Sequence, residues 1–350
     1  MKRFILINLI ALAIFSMNLF AQKQIVVQNG TNATIYDASQ LGTAINNAAA
    51  GSTIYLPGGY TFGDIVLTKK LNIYGAGAFS KSTTFTGVTS ISSIDVRNGG
   101  SGSIIEGING INAFYIGYSS KVTDVKFIKC KVPYMNIGRD TTMNIVFKDC
   151  IINIHSGATS IEMTEKNLST FFYNCIFNYC SNFQIINSSF NSRYYNCIFH
   201  TRPSNNNLFR ELSKNNHFEN CIFKNDNNSE ILALGTLNVF SNCLFNANQI
   251  NWGNGNVAEN CIINQHKDSV FTSIVTTNNS YSEDNNYHIK ATSPGKDYGT
   301  DGTDLGIYGT ANPFKENSVP IIPYIKAYNT AIKTVDGKLE ISVDVESQTK

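Results

Sequence analysis

Charge is scarce in this chain and almost balanced. Only 15% of the 350 residues are charged, 27 Lys and Arg against 25 Asp and Glu, so nothing in the balance directs the chain to nucleic acid or to an anionic membrane. Histidine occurs five times, at His155, His200, His217, His266 and His288. No two stand at metal-ligand spacing, so they read as surface or turn residues, and as bases only if a groove gathers them. No CxxC pair accompanies the eight cysteines, which argues against a zinc site. Asp-Asp pairs and dense carboxylate loops are missing too, so Asn-rich loops such as Ser204-Asn205-Asn206-Asn207 are explained by turn geometry and not by calcium.

What is present is a repeat. Lys129-Cys130-Lys131-Val132 returns as Asp149-Cys150-Ile151-Ile152, Asn174-Cys175-Ile176-Phe177, Asn196-Cys197-Ile198-Phe199, Asn220-Cys221-Ile222-Phe223, Asn242-Cys243-Leu244-Phe245 and Asn260-Cys261-Ile262-Ile263. The cysteines are separated by 20, 25, 22, 24, 22 and 18 residues, the spacing of a solenoid. Three positions before each stand Phe127, Phe147, Phe172, Tyr194, Phe218, Phe240 and Ala258. An inward residue, a polar corner that tolerates the left-handed conformation, then Cys and a second inward apolar residue describe one strand bending into the next. Three short strands and three turns fill one such repeat, so stacked coils form three parallel sheets about 4.8 Å per step around a dry core.

That stacking makes the cysteines a column. In-register neighbours point their Cβ atoms the same way about 4.8 Å apart, whereas a disulfide wants about 3.8 Å and facing vectors. The expectation is a ladder of buried, reduced thiols. Cys180, five residues after Cys175, falls outside the period and is either an exposed thiol or paired.

Residues 1–21 carry Lys2 and Arg3 before an apolar run from Phe4 to Phe20, the pattern of a secretory signal peptide and short for a membrane span. Cleavage removes two basic residues and leaves 25 against 25, with no transmembrane segment thereafter. An extended lead-in follows to about Tyr36. Ser39 stands as N-cap for an amphipathic helix carrying Leu41, Ala44, Ile45 and Ala48 and stopped by Gly51, which would cap the open end of the stack. Strands at Ser52 to Leu56, Asp64 to Leu67, Leu71 to Tyr74, Ser93 to Arg97, Ser103 to Glu106 and Ala113 to Ile116 are the coils before the cysteines begin. Beyond Gly309 the period stops. Pro313, Pro320 and Pro323 make an extended segment over the last coil, and Lys333 to Val345 alternates around an Asp336-Gly337 turn as a hairpin. The hairpin either caps the end or receives a protein partner.

Leu41 to Gly77, with its Gly51-Ser52-Thr53-Ile54-Tyr55-Leu56-Pro57-Gly58-Gly59 segment, resembles the opening of parallel β-helix proteins of the pectin lyase-like superfamily. Ser293-Pro294-Gly295 and Gly302-Thr303-Asp304-Leu305-Gly306-Ile307-Tyr308-Gly309 resemble the closing segment of secreted bacterial members. The resemblance implies an all-β, right-handed, single-stranded parallel β-helix of about ten coils with an N-terminal capping helix. It covers roughly residues 38–310, within an expected β-helix domain 22–310 that lies between the signal peptide 1–21 and the extended tail or hairpin 311–350. It also implies polysaccharide as the partner and Ca²⁺ as a cofactor if the protein is lyase-like. The acid cluster with a basic pair that lyases use, and the paired Asp of the hydrolases, are not found, so no catalytic residue is assigned.

Alternate residues of the strand before each cysteine corner face outward and stack into a row. Glu162, Gln184, Arg210, Glu230 and Asn251 are the candidates for that row, with Arg139, Lys166, Arg193 and Glu211 nearby. Such a groove of charges and amides suits sugar hydroxyls and carboxylates, with Arg210 placed to grip a uronate; a solvated polar face is the plainer alternative. Trp252, the single tryptophan, is either a sugar platform or a half-buried packing aromatic. The expectation is a secreted, periplasmic or outer-surface protein that contacts polysaccharide, with a lyase-like enzyme or a non-catalytic adhesion module as its two forms.

Overall fold

The computed structural model describes residues 23–81, 86–153, 161–178, 186, 188–201, 207–209, 213–225, 231–233, 235–263, 265–275, 281–316, 324–330 and 341–346. The expected signal peptide, His155, Cys180 and the Asp336-Gly337 turn lie outside them. The chain is an all-β parallel solenoid of about eight turns with a short N-terminal helix. That is slightly fewer than the ten expected, and winding ends at the strand Val257–Glu259 and a single bridge from Leu244 to Ile262. Among the described residues no helix is long and apolar enough to cross a membrane.

One side of each coil is the strand before the cysteine, as in Lys126–Ile128, Ile145–Lys148, Thr170–Tyr173, Ser192–Tyr195, His217–Glu219 and Val239–Ser241. These pair in parallel so that Phe127, Phe147, Phe172, Tyr194, Phe218 and Phe240 lie in one register. The second side follows the cysteine and aligns Phe177, Phe199, Phe223 and Phe245. The third side carries Met135–Ile137 and Ile161–Met163 in the lower coils, and Asn207–Phe209, Ile231–Ala233 and Ile250–Asn251 in the upper ones. In the early coils two long strands, Thr89–Val96 and Asn109–Ile116, run through the second and third sides together.

The register turns the core into two aromatic files. Ring centroids in the first are 5.0, 5.0, 4.8, 4.5 and 4.9 Å apart from Phe127 to Phe240. In the second they are 4.4, 4.7 and 4.4 Å apart from Phe177 to Phe245. The files meet edge to face, as between Phe218 and Phe223 at 5.9 Å. Each aromatic pair contributes about 0.5–1.5 kcal/mol beyond its burial, so the stack stabilises itself coil upon coil. Tyr194 enters a phenylalanine position because its buried hydroxyl meets Ser189 Oγ at 2.9 Å.

Between the files runs the thiol ladder. Cys130, Cys150, Cys175, Cys197, Cys221 and Cys243 are buried and free, and Cys261 is free and half-buried at the last coil. Each Sγ sits 3.3–3.5 Å from the carbonyl two residues earlier. Burial pushes the Cys130, Cys150 and Cys175 thiols up, away from the reactive thiolate. At the corner before each cysteine, Asn174, Asn196, Asn220, Asn242 and Asn260 hold φ between 49° and 56°, the left-handed region that asparagine enters more readily than most residues.

The lead-in is a hairpin, Gln24–Asn29 with Asn32–Asp37, and its first strand pairs antiparallel with the first coil, Val26 opposite Tyr55. The helix is Leu41–Asn47, preceded by a tight turn Ala38–Gln40. Asp37, not Ser39, caps this turn, because Asp37 and Gln40 form a reciprocal capping box in which Asp37 N–H donates to Gln40 Oε1 at 3.1 Å.

Lys131 follows Cys130, but the outward residue after each later cysteine of the repeat is apolar. Ile151, Ile176, Ile198, Ile222 and Leu244 form a stripe covered by Val270, Phe271, Tyr287, Leu305, Ile307 and Phe314. Residues 265–275 and 281–316 are therefore a strap laid over the coils. Asn242 Nδ2 donates to the Tyr298 carbonyl at 2.9 Å, Asn220 Nδ2 to Thr300 Oγ1 at 3.1 Å, Asn196 Nδ2 to the Gly309 carbonyl at 2.9 Å and Asn174 Nδ2 to the Asn312 carbonyl at 2.8 Å. From Tyr298 to Phe314 residue numbers rise as coil numbers fall, so this part of the strap runs back toward the N-terminal end, where Phe314 stacks on Phe79 at 6.3 Å. Residues 312–316 thus lie by the early coils and not over the last one. The tail strands Tyr324–Thr330 and Ile341–Glu346 pair antiparallel as a separate two-stranded sheet.

Under the strap lies a buried polar row of Asn178, His200, Lys224 and Asn246. His200 is fully buried, against the expectation of a surface residue, because Tyr287 of the strap closes over it with ring centroids 5.4 Å apart. Neither of its ring nitrogens has a hydrogen-bond partner among the described residues. Burial, then the nearby Lys224, drives its pKa well below the usual value. A histidine held neutral stabilises the fold above the unfolded pKa of about 6.5, and that stability is lost as pH falls below it. Asp149 has the opposite sign, since burial lifts its carboxyl to about 6 and makes its protonation favour the folded chain.

Two outcomes test the strap. Asn220→Ala combines left-handed strain with the loss of two hydrogen bonds to Thr300 and is expected to cost about 2–4 kcal/mol in urea unfolding. Asn220→Gly, free of the strain, should cost clearly less; equal losses would contradict the corner's role. His200→Phe should remove an acid-side loss of up to about 1.4 kcal/mol per pH unit below 6.5, measured as hydrogen exchange of strap amides between pH 7 and 5. An unchanged pH profile would contradict it.

Candidate functional site

On the third side the lower coils repeat one triplet. Ile94-Asp95-Val96, Phe114-Tyr115-Ile116, Met135-Asn136-Ile137 and Ile161-Glu162-Met163 stack in exact parallel register. The flanking residues of each triplet are buried in the core. The middle residues consequently form an outward row, Asp95, Tyr115, Asn136 and Glu162, rising about 4.8 Å per step.

Glu162 organises the upper part of this row. Tyr134 Oη donates to Glu162 Oε2 at 2.8 Å, and Asn136 Nδ2 donates to the same oxygen at 3.1 Å and to Tyr134 Oη at 3.2 Å. Burial, with the carboxylate of Glu162 beside it, pushes the Tyr134 hydroxyl up to about 12, so it stays a donor at any physiological pH. Lower down, Arg97 Nε donates to Asp95 Oδ2 at 2.8 Å. Tyr115 stands edge-on to Tyr118 at 5.4 Å and to Tyr134 at 6.2 Å between centroids. The Arg139 guanidinium lies 4.3 Å above the Tyr118 ring and donates to its hydroxyl at 2.7 Å, a cation–π contact that fixes both groups at the rim. The face therefore joins three tyrosines to carboxylate, amide and guanidinium groups along one line.

Of the residues singled out from the sequence, Glu162 stands in this row and Arg139 at its edge. Lys166 is exposed in the turn beyond Glu162, its carbonyl accepting from Thr142 N–H at 3.2 Å. Arg193 lies on the first side, where Nη1 reaches the Asn215 carbonyl at 3.3 Å, so it does not join the row. Asn251 is exposed on the upper third side, opposite Leu232. Trp252 packs on the end of the core, 5.3 Å from Phe240 and 5.2 Å from Phe245 between centroids, a packing position at the end of the stack. Gln184, Arg210, Glu211 and Glu230 lie outside the described residues. The position beside Glu162 in the ladder is Ser188, four residues beyond Gln184.

Asp95, Tyr115, Tyr118, Tyr134 and Asn136 were not singled out from the sequence. Their signal was the apolar-x-apolar triplet itself, which recurs before the cysteine repeat is established.

The geometry limits the chemistry. Asp95 and Glu162 are three coils apart, about 14 Å at 4.8 Å per step, beyond the roughly 5–9.5 Å that separates the carboxylates of glycosidases. Among the described residues no group of three or more His, Cys, Asp or Glu side chains is placed to hold a metal ion, so the Ca²⁺ that the lyase resemblance implies has no ligand set there. No protein-family profile matches the chain, and no curated protein matches it either.

Proposed function

We propose that this is an exported β-solenoid protein, akin to the pectin lyase-like superfamily, that binds polysaccharide along its third side without cleaving it. The observation that carries the reading is the straight row Asp95, Tyr115, Asn136 and Glu162 with Tyr118 and Tyr134 beside it. A rigid backbone holds aromatic surface and hydrogen-bonding groups at a fixed repeat, which suits a linear polymer of sugars more than a compact ligand. The absence of a close carboxylate pair from this row favours a binding or adhesive role over turnover. The apolar run of residues 1–21 supports export, and the self-paired tail hairpin supports a place for a protein partner.

The test uses the mature chain, residues 22–350, in affinity gels containing pectate, alginate, chondroitin or neutral glucans, with ultraviolet absorbance to detect unsaturated ends. Retardation by at least one polysaccharide is expected, weakened about tenfold or more by Glu162→Ala or Tyr134→Ala, the equivalent of about 1.4 kcal/mol. Rapid appearance of unsaturated ends would make the protein a lyase and contradict the proposal.

A further inference from the structure

The donor and acceptor inventory of the third side narrows the class of sugar, and it rests on the polysaccharide reading above. Asp95 engages Arg97 through Oδ2, while its Oδ1 is buried with no hydrogen-bond partner. Asn136 directs its amide group to Tyr134 and Glu162, and its Oδ1 is likewise buried without a partner. The amide orientation is fixed by those two bonds, so the unmatched atom is the oxygen. Asp95 and Asn136 flank Tyr115 directly in the parallel ladder, so the two unmatched oxygens belong to one short stretch of the row.

Both atoms are acceptors, and only a donor can satisfy them. A sugar hydroxyl or an ammonium group brings one; a polyuronate brings hydroxyls too, but its carboxylates would face Asp95 and Glu162 with like charge. The guanidinium that would otherwise attract a uronate, Arg139, is already stacked on Tyr118 and bonded to its hydroxyl. Tyr115 is half-buried and lies between Asp95 and Asn136 in the row.

We propose that the third side takes a chain of neutral or amino sugars and disfavours polyuronates, with ligand hydroxyl or amine protons donated to Asp95 Oδ1 and Asn136 Oδ1. A site with unmatched buried acceptors discriminates by the group that fills them.

Affinity gels with a neutral β-glucan, chitosan and polygalacturonate test this on the mature chain. Retardation by the glucan or chitosan is expected to exceed that by polygalacturonate at least tenfold. Asn136→Leu, which removes one acceptor, should cut retardation severalfold with the melting temperature reported alongside. Asp95→Asn keeps an acceptor and removes a charge; it should weaken chitosan binding more than glucan binding and serves where Asn136→Leu fails to fold. Equal or stronger binding of polygalacturonate, or folded variants that bind like the parent, overturns the inference and leaves the polysaccharide reading standing. Retardation by no glycan overturns both.

Discussion

Parallel hydrogen bonding between successive coils is the constraint on which every other feature depends. Because each strand pairs in register with the equivalent strand one coil away, a residue chosen once is chosen for a whole file. Phenylalanine at one position becomes a stack with centroids 4.4–5.0 Å apart, cysteine becomes a column of buried thiols, and asparagine becomes a ladder of left-handed corners. Nearest-neighbour stabilisation of this kind needs ends that are dealt with separately. At the N-terminal end the hairpin and helix cover the first coil. At the other, Ala258 replaces the phenylalanine and Trp252 closes on the last rings.

The strap is the second consequence of that register. A column of four outward isoleucines and Leu244 cannot be left in water, and residues 265–275 and 281–316 cover it while satisfying corner asparagines. Gly306 shows how close the approach is, since a Cβ there would come within 2.8 Å of Ile222 Cδ1. The strap covers the second side, whereas the row of polar and aromatic groups lies on the third.

Much of this was legible in the sequence. The cysteine period, the phenylalanine three positions earlier and the corner asparagine define the solenoid, since each is a local requirement repeated at fixed spacing. The strap was not legible, because the period-two pattern places the apolar residue after most of the cysteines on the outside without saying which distant segment covers it. Asp37 was passed over as a cap because Ser39 stands nearer the apolar helical residues, while the reciprocal bond with Gln40 starts the turn earlier. The polar row of the third side is legible in part. Glu162 and Arg139 stand out by polarity, but the coil between Met163 and Ser188 carries 24 intervening residues, and so irregular a repeat hides which residue follows Glu162 in the ladder. His200 was misplaced for the same reason as the strap, since its burial comes from a segment distant in sequence.

Sulfur anomalous diffraction from crystals of the protein measures the central constraint most directly. In-register stacking predicts that the sulfurs of Cys130, Cys150, Cys175, Cys197, Cys221, Cys243 and Cys261 form one continuous file with neighbours about 4.8 Å apart. Sulfurs dispersed over separate elements, or joined in pairs at disulfide distance, would contradict the architecture and the proposal built on it.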